Sequence, residues 1–479
     1  RQRPLHAVPG HSRKGPVLIR RALTSLHGTS ETFPNEHGPV VTEADPADDW
    51  REAMRSGQAL LQAGQAEEAE EAVASFERAT LARPDDVAAR LNLAIAAYRA
   101  GEPERAAELC DTILITAPEL PDAHQLKGLA LHALGDHAGA LAAFRKAVAI
   151  SPNSAKSWAS IADIADDEDE RIEAVEHAAS VMLAACHESG ATPSVLHRCI
   201  SALISAQRFD DATSMLDSHR TRLDAVTYHD LLARTLYRKG AFEAAFRAKE
   251  FALLGMDLRS LPNTPKPSDF APDAAMSAVA ELSDILGSAG IECFLAAGTL
   301  LGMYREGRPL AHDRDADIGV MRGGDVAGVI RSHPSLMLAH DARPGDRYFA
   351  LSFRNVAIDI FVHDARNDHL VCGVSSTPGD IQWRFSPFRL KRIEIAGRIW
   401  RIPDNAERYL AESYGPGWRT PDKGFASAIS SPALFGVSDH ARGYYALTRA
   451  KKSLLIGDAV KARALLRQSP VRMRFAMPP

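Results

Sequence analysis

Residues 313–320 of the chain read Asp313-Arg314-Asp315-Ala316-Asp317-Ile318-Gly319-Val320. Successive side chains of a β-strand point to opposite faces, so this run predicts a strand with three carboxylates on one face and apolar side chains on the other. Carboxylates this close raise at least one pKa unless a cation binds between them, and hard divalent cations such as Mg²⁺ prefer these oxygens. A solvated acidic turn is the alternative for an acidic pair of this kind.

A glycine turn precedes the acidic stretch. Residues 292–302 read Glu-Cys-Phe-Leu-Ala-Ala-Gly-Thr-Leu-Leu-Gly, which predicts a buried strand, a turn at Gly298 and then a helix. The N–H groups of a helix N-terminus and the hydroxyl of Thr299 would suit a phosphate oxygen. Thr299 could equally cap the helix.

A third carboxylate follows in a separate apolar run. Residues 355–362 read Asn-Val-Ala-Ile-Asp-Ile-Phe-Val, which predicts a buried strand interrupted by Asp359. A buried carboxylate is costly unless it is paired or coordinated, so Asp359 needs a partner. A shared cation is one solution, and a salt bridge to an arginine such as Arg354 is the other.

The region upstream, about residues 50 to 257, repeats with a period of 34 residues. The positions that recur at this interval are Pro84, Pro118 and Pro152, then Gly101 and Gly135, then Ala72, Ala106 and Ala140, then Phe76, Cys110 and Phe144. Small residues let two helices approach, the aromatic fills the gap beside them, and proline ends the second helix. The pattern resembles the tetratricopeptide repeat. It predicts an all-α helical solenoid with clear repeats over about 60–165, irregular ones after them, and one further hairpin around 446–466.

A proline-rich segment separates the helical repeats from a region in which short apolar runs alternate with Gly and Asp. Residues 261–272 contain four prolines, which favours extended chain and predicts a linker. We therefore expect a multidomain protein, in which the helical solenoid precedes an α/β (α+β) domain. The expected segments are a flexible basic N-terminal arm (1–49), the repeats (50–257), the linker (258–273), the α/β domain (274–435), and a helical hairpin with a tail (436–479).

Composition limits the classes of protein. A chain of 479 residues is too long for a single hydrophobic core. Its formal net charge of −5 gives no reason to expect a nucleic acid as partner. The longest charge-free apolar stretch, residues 293–304, is shorter than the ~20 residues of a membrane span. Five scattered cysteines without a CxxC pair argue against disulfides and thiolate zinc sites and favour a reducing compartment. We expect a cytoplasmic protein without a transmembrane segment, or one peripheral to a membrane.

Together, the Gly-Thr turn and the three carboxylate positions are arranged as in the polymerase-β-like nucleotidyltransferase superfamily, and the resemblance narrows to the LicD/fukutin family. The motifs that carry it are Gly298-Thr-Leu-Leu-Gly302, Arg305, Asp313-x-Asp315-x-Asp317-Ile-Gly319, Val356-Ala-Ile-Asp359-Ile-Phe361 and Tyr414-Gly-Pro-Gly-Trp418-Arg-Thr-Pro421. The resemblance spans about 275–425 and implies a nucleotidyltransferase fold. Two positions depart from the family pattern, because His312 replaces a tryptophan and Arg314 an acidic residue.

The resemblance also implies chemistry. Members of the family transfer a phospho-alcohol group, such as phosphocholine or a phospho-polyol, from a CDP-activated donor to a glycan hydroxyl. Carried over by position, Asp315, Asp317 and Asp359 are the catalytic residues and hold Mg²⁺ (or Mn²⁺). The substrate-binding residues it implies are Gly298, Thr299, Arg305 and Asp313.

Several of these residues have structural alternatives. Arg305 could form a salt bridge on the helix surface instead of binding phosphate. Tyr414 and Trp418 could serve packing alone. His312 is a candidate general base by position only.

The expected function is therefore a metal-dependent transferase of polysaccharide biosynthesis whose repeats bind a protein partner. One alternative is a repeat scaffold with an inactive nucleotidyltransferase-like domain, against which the intact set of Asp315, Asp317 and Asp359 argues. Another is a nucleotidyltransferase that modifies a small molecule, a protein or RNA. The motif at 414–421 argues for the glycan family over that second alternative.

Overall fold

The computed structural model describes residues 46–63, 66–188, 191–262, 271–310, 313–333 and 335–475. The expected N-terminal arm therefore lies outside the described residues up to residue 45. Residues 46–49, also assigned to that arm, are instead helical, because α1 begins at Pro46. The chain divides into two compact units, residues 1–161 and 162–479.

The first unit is built of antiparallel helical hairpins. The helices pair as α1 (Pro46–Ala63) with α2 (Ala66–Ala82), α3 (Val87–Arg99) with α4 (Pro103–Thr116), and α5 (Pro121–Ala133) with α6 (His137–Ile150), and α7 (Ala155–Ile164) follows. The second helix of each hairpin ends shortly before a proline of the 34-residue repeat, as predicted. The expected all-α tetratricopeptide-like solenoid is confirmed.

The repeated small residues pack as the sequence predicts. Ala72, Ala106 and Ala140 are completely buried at the helix crossings. On the first helix of the third hairpin, a Cβ added to Gly128 would lie 2.4 Å from the ring of Phe144, so only glycine lets the two helices approach this closely.

The second unit begins with further helices, and strands and helices then follow together. Its helices are α8 (Glu168–Glu188), α9 (Pro193–Ser205), α10 (Phe209–Ser218), α11 (Ala225–Arg238), α12 (Phe242–Leu254), α13 (Pro272–Ser288), α14 (Ala297–Glu306), α15 (Val326–Ser332), α16 (Ala406–Tyr414), α17 (Ser427–Ser430), α18 (Asp439–Leu455) and α19 (Ala459–Arg467). The strands are β1 (Cys293–Leu295), β2 (Ala316–Met321), β3 (Tyr348–Phe353), β4 (Val356–Arg366), β5 (His369–Gly373), β6 (Gln382–Phe385), β7 (Leu390–Ile395) and β8 (Arg398–Pro403).

The described part of this unit holds a six-stranded mixed sheet in the order β1-β2-β4-β5-β6, with β3 paired to β4. Strands β2 and β4 are parallel, and the other pairs are antiparallel. The β3–β4 connection is the two-residue turn Arg354-Asn355, in which both residues have positive φ, as a turn of type I′ requires. Strands β7 and β8 form a separate pair. A domain of mixed sheet and helix after the solenoid is therefore confirmed.

Helix α18 of the C-terminal hairpin packs against α12, the second helix of the last hairpin before the sheet. Gly457 joins α18 to α19 with a φ of +87°, and Gly240 joins α11 to α12 with a φ of +84°. Gly101 and Gly135 of the first unit have the same φ of +84°. The same turn thus recurs after the sheet, so the α/β domain is an insertion between two helical hairpins that pack together.

One hydrophobic core extends from α11 through the sheet to the C-terminal hairpin. It includes Leu253 of α12, Leu282 of α13, Ile318 of β2 and Leu447 of α18. The proline-rich segment predicted as a linker therefore does not separate two cores. Residues 263–270 of that segment lie outside the described residues, and α13 already begins at Pro272, so the last two predicted linker residues are helical.

The five cysteines are free and buried. Each helix in the described parts of the chain is too short or too polar to cross a bilayer.

Candidate functional site

Asp317 and Asp359 form the centre of the candidate site. Asp317 on β2 is the register partner of Asp359 on β4, and because the strands are parallel, both side chains leave the sheet from one face. Asp317 is followed on β2 by Ile318, and Asp359 is flanked on β4 by Ile358 and Ile360. These isoleucine side chains point to the other face of the sheet and are fully buried. The apolar alternation of the two strands therefore places two half-buried carboxylates side by side.

The turn before α14 holds Asp317 in place. The N–H of Gly298 donates to Oδ2 of Asp317 at 2.8 Å, and the N–H of Asp317 donates to Oγ1 of Thr299 at 2.7 Å. Thr299 is 2% exposed. The residue that caps α14 is Ala296, and no side chain caps this helix. The interpretation of Thr299 as a helix cap is therefore wrong, and the structure gives it the role of positioning Asp317.

Gly298 lies against two carboxylates. A Cβ at this position would be 3.0 Å from Oδ2 of Asp317 and 3.5 Å from Oδ2 of Asp313. The preceding residue, Ala297, has a φ of +40°, which is unfavourable for a residue with a side chain. The strained backbone and the missing side chain together bring an amide hydrogen up to the carboxylate of Asp317.

Asp313 and Asp315 lie in the turn before β2. The N–H of Asp313 donates to the carbonyl of Leu310 at 3.0 Å, and β2 begins only at Ala316. The prediction that all three aspartates share one strand face is therefore wrong, because the chain bends here. Asp315 is exposed and Asp313 is half-buried.

The carboxylates nevertheless act on one another. Burial and the charge of Asp315 raise the pKa of Asp313 to about 7, against the lowering effect of Lys461. Burial and the charges of Asp315 and Asp359 raise the pKa of Asp317 well above its ordinary value. Such mutual repulsion favours a cation among these groups.

Asp359 has a hydrogen-bond partner that the sequence analysis missed. The hydroxyl of Tyr348 donates to Oδ1 of Asp359 at 2.9 Å. Burial and Asp315 raise the pKa of Asp359 to about 6, and the Tyr348 bond lowers it. Arg354 pairs instead with Glu281 at 2.7 Å, so the predicted alternative of an Arg354 salt bridge is wrong.

The contact of Tyr348 with Asp359 can be recognised only once the strand register is known. Ala350 is the register partner of Asp359 on β3, and Tyr348 lies two residues before it on the same face. The sequence shows an alternating strand at 348–353, but it does not show which residue of β4 each side chain faces.

Arg305 connects α14 to the motif at residues 414–421. Its guanidinium donates to Oε1 of Glu306 at 2.8 Å and to the carbonyl of Trp418 at 3.3 Å. The predicted alternative of a salt bridge is therefore present in the structure. Arg305 also lowers the pKa of Asp313, so its charge reaches the site. Direct binding of phosphate by Arg305 stays a prediction.

The motif at 414–421 contributes packing beside the site. Trp418 is buried, and its ring centroid lies 6.0 Å from that of Tyr304 and 4.3 Å below the guanidinium of Arg419. The ring centroid of Tyr414 lies 4.9 Å from that of Phe425. Burial, followed by the charge of Asp317, raises the pKa of Tyr414 strongly, which places this phenol near the carboxylates. His312, the candidate general base, lies outside the described residues.

The donor set suits a divalent ion by chemistry, since it consists of carboxylates that repel one another. Among the described residues, no group of three or more Asp, Glu, His or Cys side chains is already arranged to hold a metal ion. Oxygens of Asp317 and Asp359 are bonded to Gly298 and Tyr348 instead. A site made of Asp315, Asp317 and Asp359 thus requires these side chains, above all the exposed Asp315, to turn inward.

Comparison with known proteins gives matches in both units. Residues 54–121 and 121–154 match tetratricopeptide repeat families, and residues 290–404 match the family described as LicD/FKTN/FKRP, nucleotidyltransferase domain. A solved tetratricopeptide repeat protein from Parabacteroides merdae ATCC 43184 is 16% identical, with 44% of this chain and 79% of that chain covered at a TM-score of 0.28.

Curated relatives match part of the chain. The ribitol-5-phosphate transferases FKTN of Macaca fascicularis and Homo sapiens are each 26% identical over 145 residues, which is 29% of this chain and 32% of theirs. The Mus musculus protein of the same name is 27% identical over 150 residues. The chain spans about a third of the length of the curated relatives that it matches. It carries tetratricopeptide repeats over residues 54–154, followed over residues 290–404 by a nucleotidyltransferase domain of the LicD/FKTN/FKRP family.

Proposed function

We propose that the protein is a metal-dependent transferase that moves a phospho-alcohol group from a CDP-activated donor to a glycan hydroxyl. The observation that carries the proposal is the pairing of Asp317 with Asp359 on adjacent parallel strands, with the charge of Asp315 close to both. The named activity of the curated relatives favours a phospho-polyol such as ribitol-5-phosphate over phosphocholine as the group transferred.

In this proposal the chain's own residues position the reaction. Gly298 and Thr299 fix Asp317 from both sides of the turn, and Tyr348 fixes Asp359. Mg²⁺ or Mn²⁺, held by Asp315, Asp317 and Asp359, would supply the positive charge that neutralises the donor phosphates.

The transfer itself is an in-line displacement. The acceptor oxygen forms a bond to the phosphorus of the alcohol phosphate, and the bond from that phosphorus to the bridging oxygen breaks. The electron pair leaves with cytidine monophosphate. The carboxylate of Asp359 would accept the proton of the acceptor hydroxyl, helped by the positive charge beside it.

A donor screen tests the proposal. The purified full-length protein is incubated with CDP-ribitol, CDP-glycerol or CDP-choline, a glycan acceptor and Mg²⁺ or Mn²⁺. We expect release of cytidine monophosphate and a matching mass gain of the acceptor, both abolished in Asp317→Asn. Asp368→Asn, which removes an exposed carboxylate from the β4–β5 turn, is the control and should stay active.

Two results would contradict the proposal. One is the absence of transfer from every CDP-alcohol, and the other is equal transfer by Asp317→Asn. Release of pyrophosphate from a nucleoside triphosphate would support the alternative of nucleotidyl transfer.

For the repeats we propose a protein partner. Leu81 on α2 and Ile115 on α4 lie 34 residues apart, at the same position of successive repeats, and are 80% and 82% exposed. Large apolar side chains so exposed suit a protein surface. In a Leu81→Ser, Ile115→Ser variant, transfer to a small soluble acceptor should be unchanged, whereas co-purification with polysaccharide-assembly proteins should fall. Loss of transfer by a folded variant would contradict this separation of roles.

A further inference from the structure

The loop that leads into β3 is bonded to helices that precede the sheet. This α15–β3 loop (residues 335–347) lies between Ser332, the last residue of α15, and Tyr348, the first residue of β3. Leu336 and Leu338 of the loop are buried in the core that contains the sheet. Water cannot reach the backbone carbonyls of a buried loop, so other groups of the protein must donate hydrogen bonds to them.

Arg171 of α8 supplies two of these hydrogen bonds. Its guanidinium donates to the carbonyl of Ala342 at 2.5 Å and to that of Ala339 at 3.4 Å. It also pairs with Glu168 of the same helix at 2.7 Å. The Arg171 side chain is 1% exposed, and a guanidinium is removed from water at great cost unless its donors are used. Helix α8 and the loop therefore satisfy each other's buried polar groups.

Two further arginines bond the start and the end of the loop to the same helices. Arg331, on α15 just before the loop, pairs with Glu168 of α8 at 2.5 Å. Arg343, near the end of the loop, donates to the carbonyl of Ser205 at the end of α9 at 2.8 Å. The loop is therefore bonded to α8 and α9 at its start, in its middle and near its end.

The last turn of the loop is bonded to the sheet. The N–H of Arg343 donates to Oδ2 of Asp346 at 2.8 Å. The guanidinium of Arg322, directly after β2, donates to the carbonyl of Asp346 at 3.2 Å. The carbonyl of Arg347 accepts a hydrogen bond from the N–H of Val362 on β4 at 2.9 Å. A continuous series of hydrogen bonds therefore connects α9 with the residue that directly precedes β3.

Tyr348 lies at the end of β3 that depends on this loop. Among the strands of the described residues, β3 pairs only with β4. The turn at Arg354-Asn355 fixes the far end of β3, whereas Tyr348 is its first residue. The ends of such elements are where local opening costs the least free energy. The position of the Tyr348 hydroxyl, 2.9 Å from Oδ1 of Asp359, therefore depends on the loop before it.

We propose that Arg171 and Arg343 are positioning residues of the transferase site, which act on Asp359 through the α15–β3 loop and Tyr348. This assignment rests on the proposed function. It extends the support of the site to the helices before the sheet, since Arg171 belongs to α8 and Arg343 is bonded to α9. Arg171 lies outside the 290–404 segment that the family comparison covers.

A double-mutant cycle on the full-length protein tests this role with the CDP-alcohol that the donor screen identifies. Lysine lacks the planar fork that bonds both loop carbonyls and Glu168. In Arg171→Lys we therefore expect kcat to fall by about tenfold or more, with an unchanged KM for the donor. Tyr348→Phe should lower kcat as well. In the Tyr348→Phe background, Arg171→Lys should lower kcat further by less than about twofold, because its effect passes through the missing hydroxyl.

Two further variants separate positioning from a general loss of fold. Arg343→Met removes the bond to α9 and should give the same pattern, so it carries the test if Arg171→Lys does not unfold cooperatively. Arg208→Met is the matched control, because Arg208 joins helices to one another, donating to Ser180 of α8 and Asp211 of α10 at 2.7 Å each. Its kcat should stay near that of the wild type. Hydrogen exchange in β3 should be about tenfold faster in Arg171→Lys and unchanged in Arg208→Met.

The outcomes separate this inference from the proposed function. A wild-type kcat in Arg171→Lys and Arg343→Met, or an equal loss of kcat in Arg208→Met, would overturn the positioning role and leave the proposed function intact. A further loss of about tenfold when Arg171→Lys is added to Tyr348→Phe would overturn it as well, since the two effects would then be independent. Unchanged exchange in β3 of Arg171→Lys would overturn the route through the loop. Faster exchange there, with no CDP-alcohol as a substrate of the wild type, would keep the support of β3 and contradict the proposed function.

Discussion

Asp317 of β2 and Asp359 of β4 occupy paired positions on neighbouring parallel strands, and each carboxylate is held by a donor from a different element. The backbone of Gly298 bonds the first, and the phenol of Tyr348 bonds the second. The two donors fix the carboxylates without cancelling their charges. The protein therefore holds two carboxyl groups side by side in a half-buried place, and charging both of them costs stability unless a cation joins them.

That cost predicts how stability depends on pH when no divalent ion is present. The pKa values of Asp313 and Asp359, about 7 and about 6, lie above the ordinary 3.8. A raised carboxyl pKa adds stability that is fully present below pH 3.8 and is lost as the pH rises through 6 to 7. Asp359→Asn keeps the group neutral, so its unfolding temperature relative to the wild type should rise between about pH 4 and pH 6 and level off above about pH 7.

Differential scanning fluorimetry in the presence of a chelator measures this difference. Asp368→Asn is the control, because the pKa of that exposed carboxyl is lowered by its bond to His369. Its difference from the wild type should stay constant over the same pH range. A constant difference for Asp359→Asn as well would contradict the account of the raised pKa.

The hydroxyl of Thr299 predicts a contrast between two substitutions. Thr299→Val keeps the shape of the side chain but leaves the N–H of Asp317 without its acceptor in a buried place. We expect a loss of about 1–3 kcal/mol in the free energy of unfolding and a lower kcat. Thr299→Ser retains the oxygen and should restore most of both. Urea unfolding and turnover assays measure them, and equal behaviour of the two variants would contradict the positioning role.

Gly298 predicts a loss of function with little loss of fold. In Gly298→Ala the new Cβ would lie 3.0 Å from Oδ2 of Asp317, so the carboxylate must shift by a few tenths of an ångström. Catalytic groups tolerate such shifts poorly, and we expect turnover to fall by about tenfold to a hundredfold. Gly417→Ala is the control, since a Cβ there meets open space. Full activity of a folded Gly298→Ala would show that this contact is unimportant.

The shared core predicts that the C-terminal hairpin and the sheet unfold together. Leu447 of α18 is completely buried in the core that also contains Ile318 of β2. Leu447→Ala should lower the free energy of unfolding by about 2–5 kcal/mol and speed hydrogen exchange in β2 and β4. Leu455→Ala on the same helix, where the side chain is 49% exposed, should have little effect. Faster exchange confined to α18 and α19 would mean that the hairpin is an independent unit.

The sequence predicts the repeats and the buried strand around Asp359 well, because both are local patterns. A period of 34 residues and the alternation around Asp359 are readable without knowing which elements touch. What the sequence cannot show are relationships across the chain. Tyr348 meets Asp359 only through the strand register, and Leu447 enters the core of the sheet only because α18 packs back on α12. The prediction of a single acidic strand is wrong because the chain bends at residue 313, and alternating aspartates fit a turn as well as a strand.

We propose that Asp315, Asp317 and Asp359 hold a divalent ion for catalysis, and calorimetric titration of Mn²⁺ into the full-length protein with CDP present tests this most directly. We expect saturable binding by the wild type and by Asp368→Asn. We also expect that binding is lost in Asp317→Asn and Asp359→Asn, while both variants keep a cooperative unfolding transition. Absence of Mn²⁺ binding by the wild type, with or without CDP, or unchanged binding by both of these variants, would contradict the account.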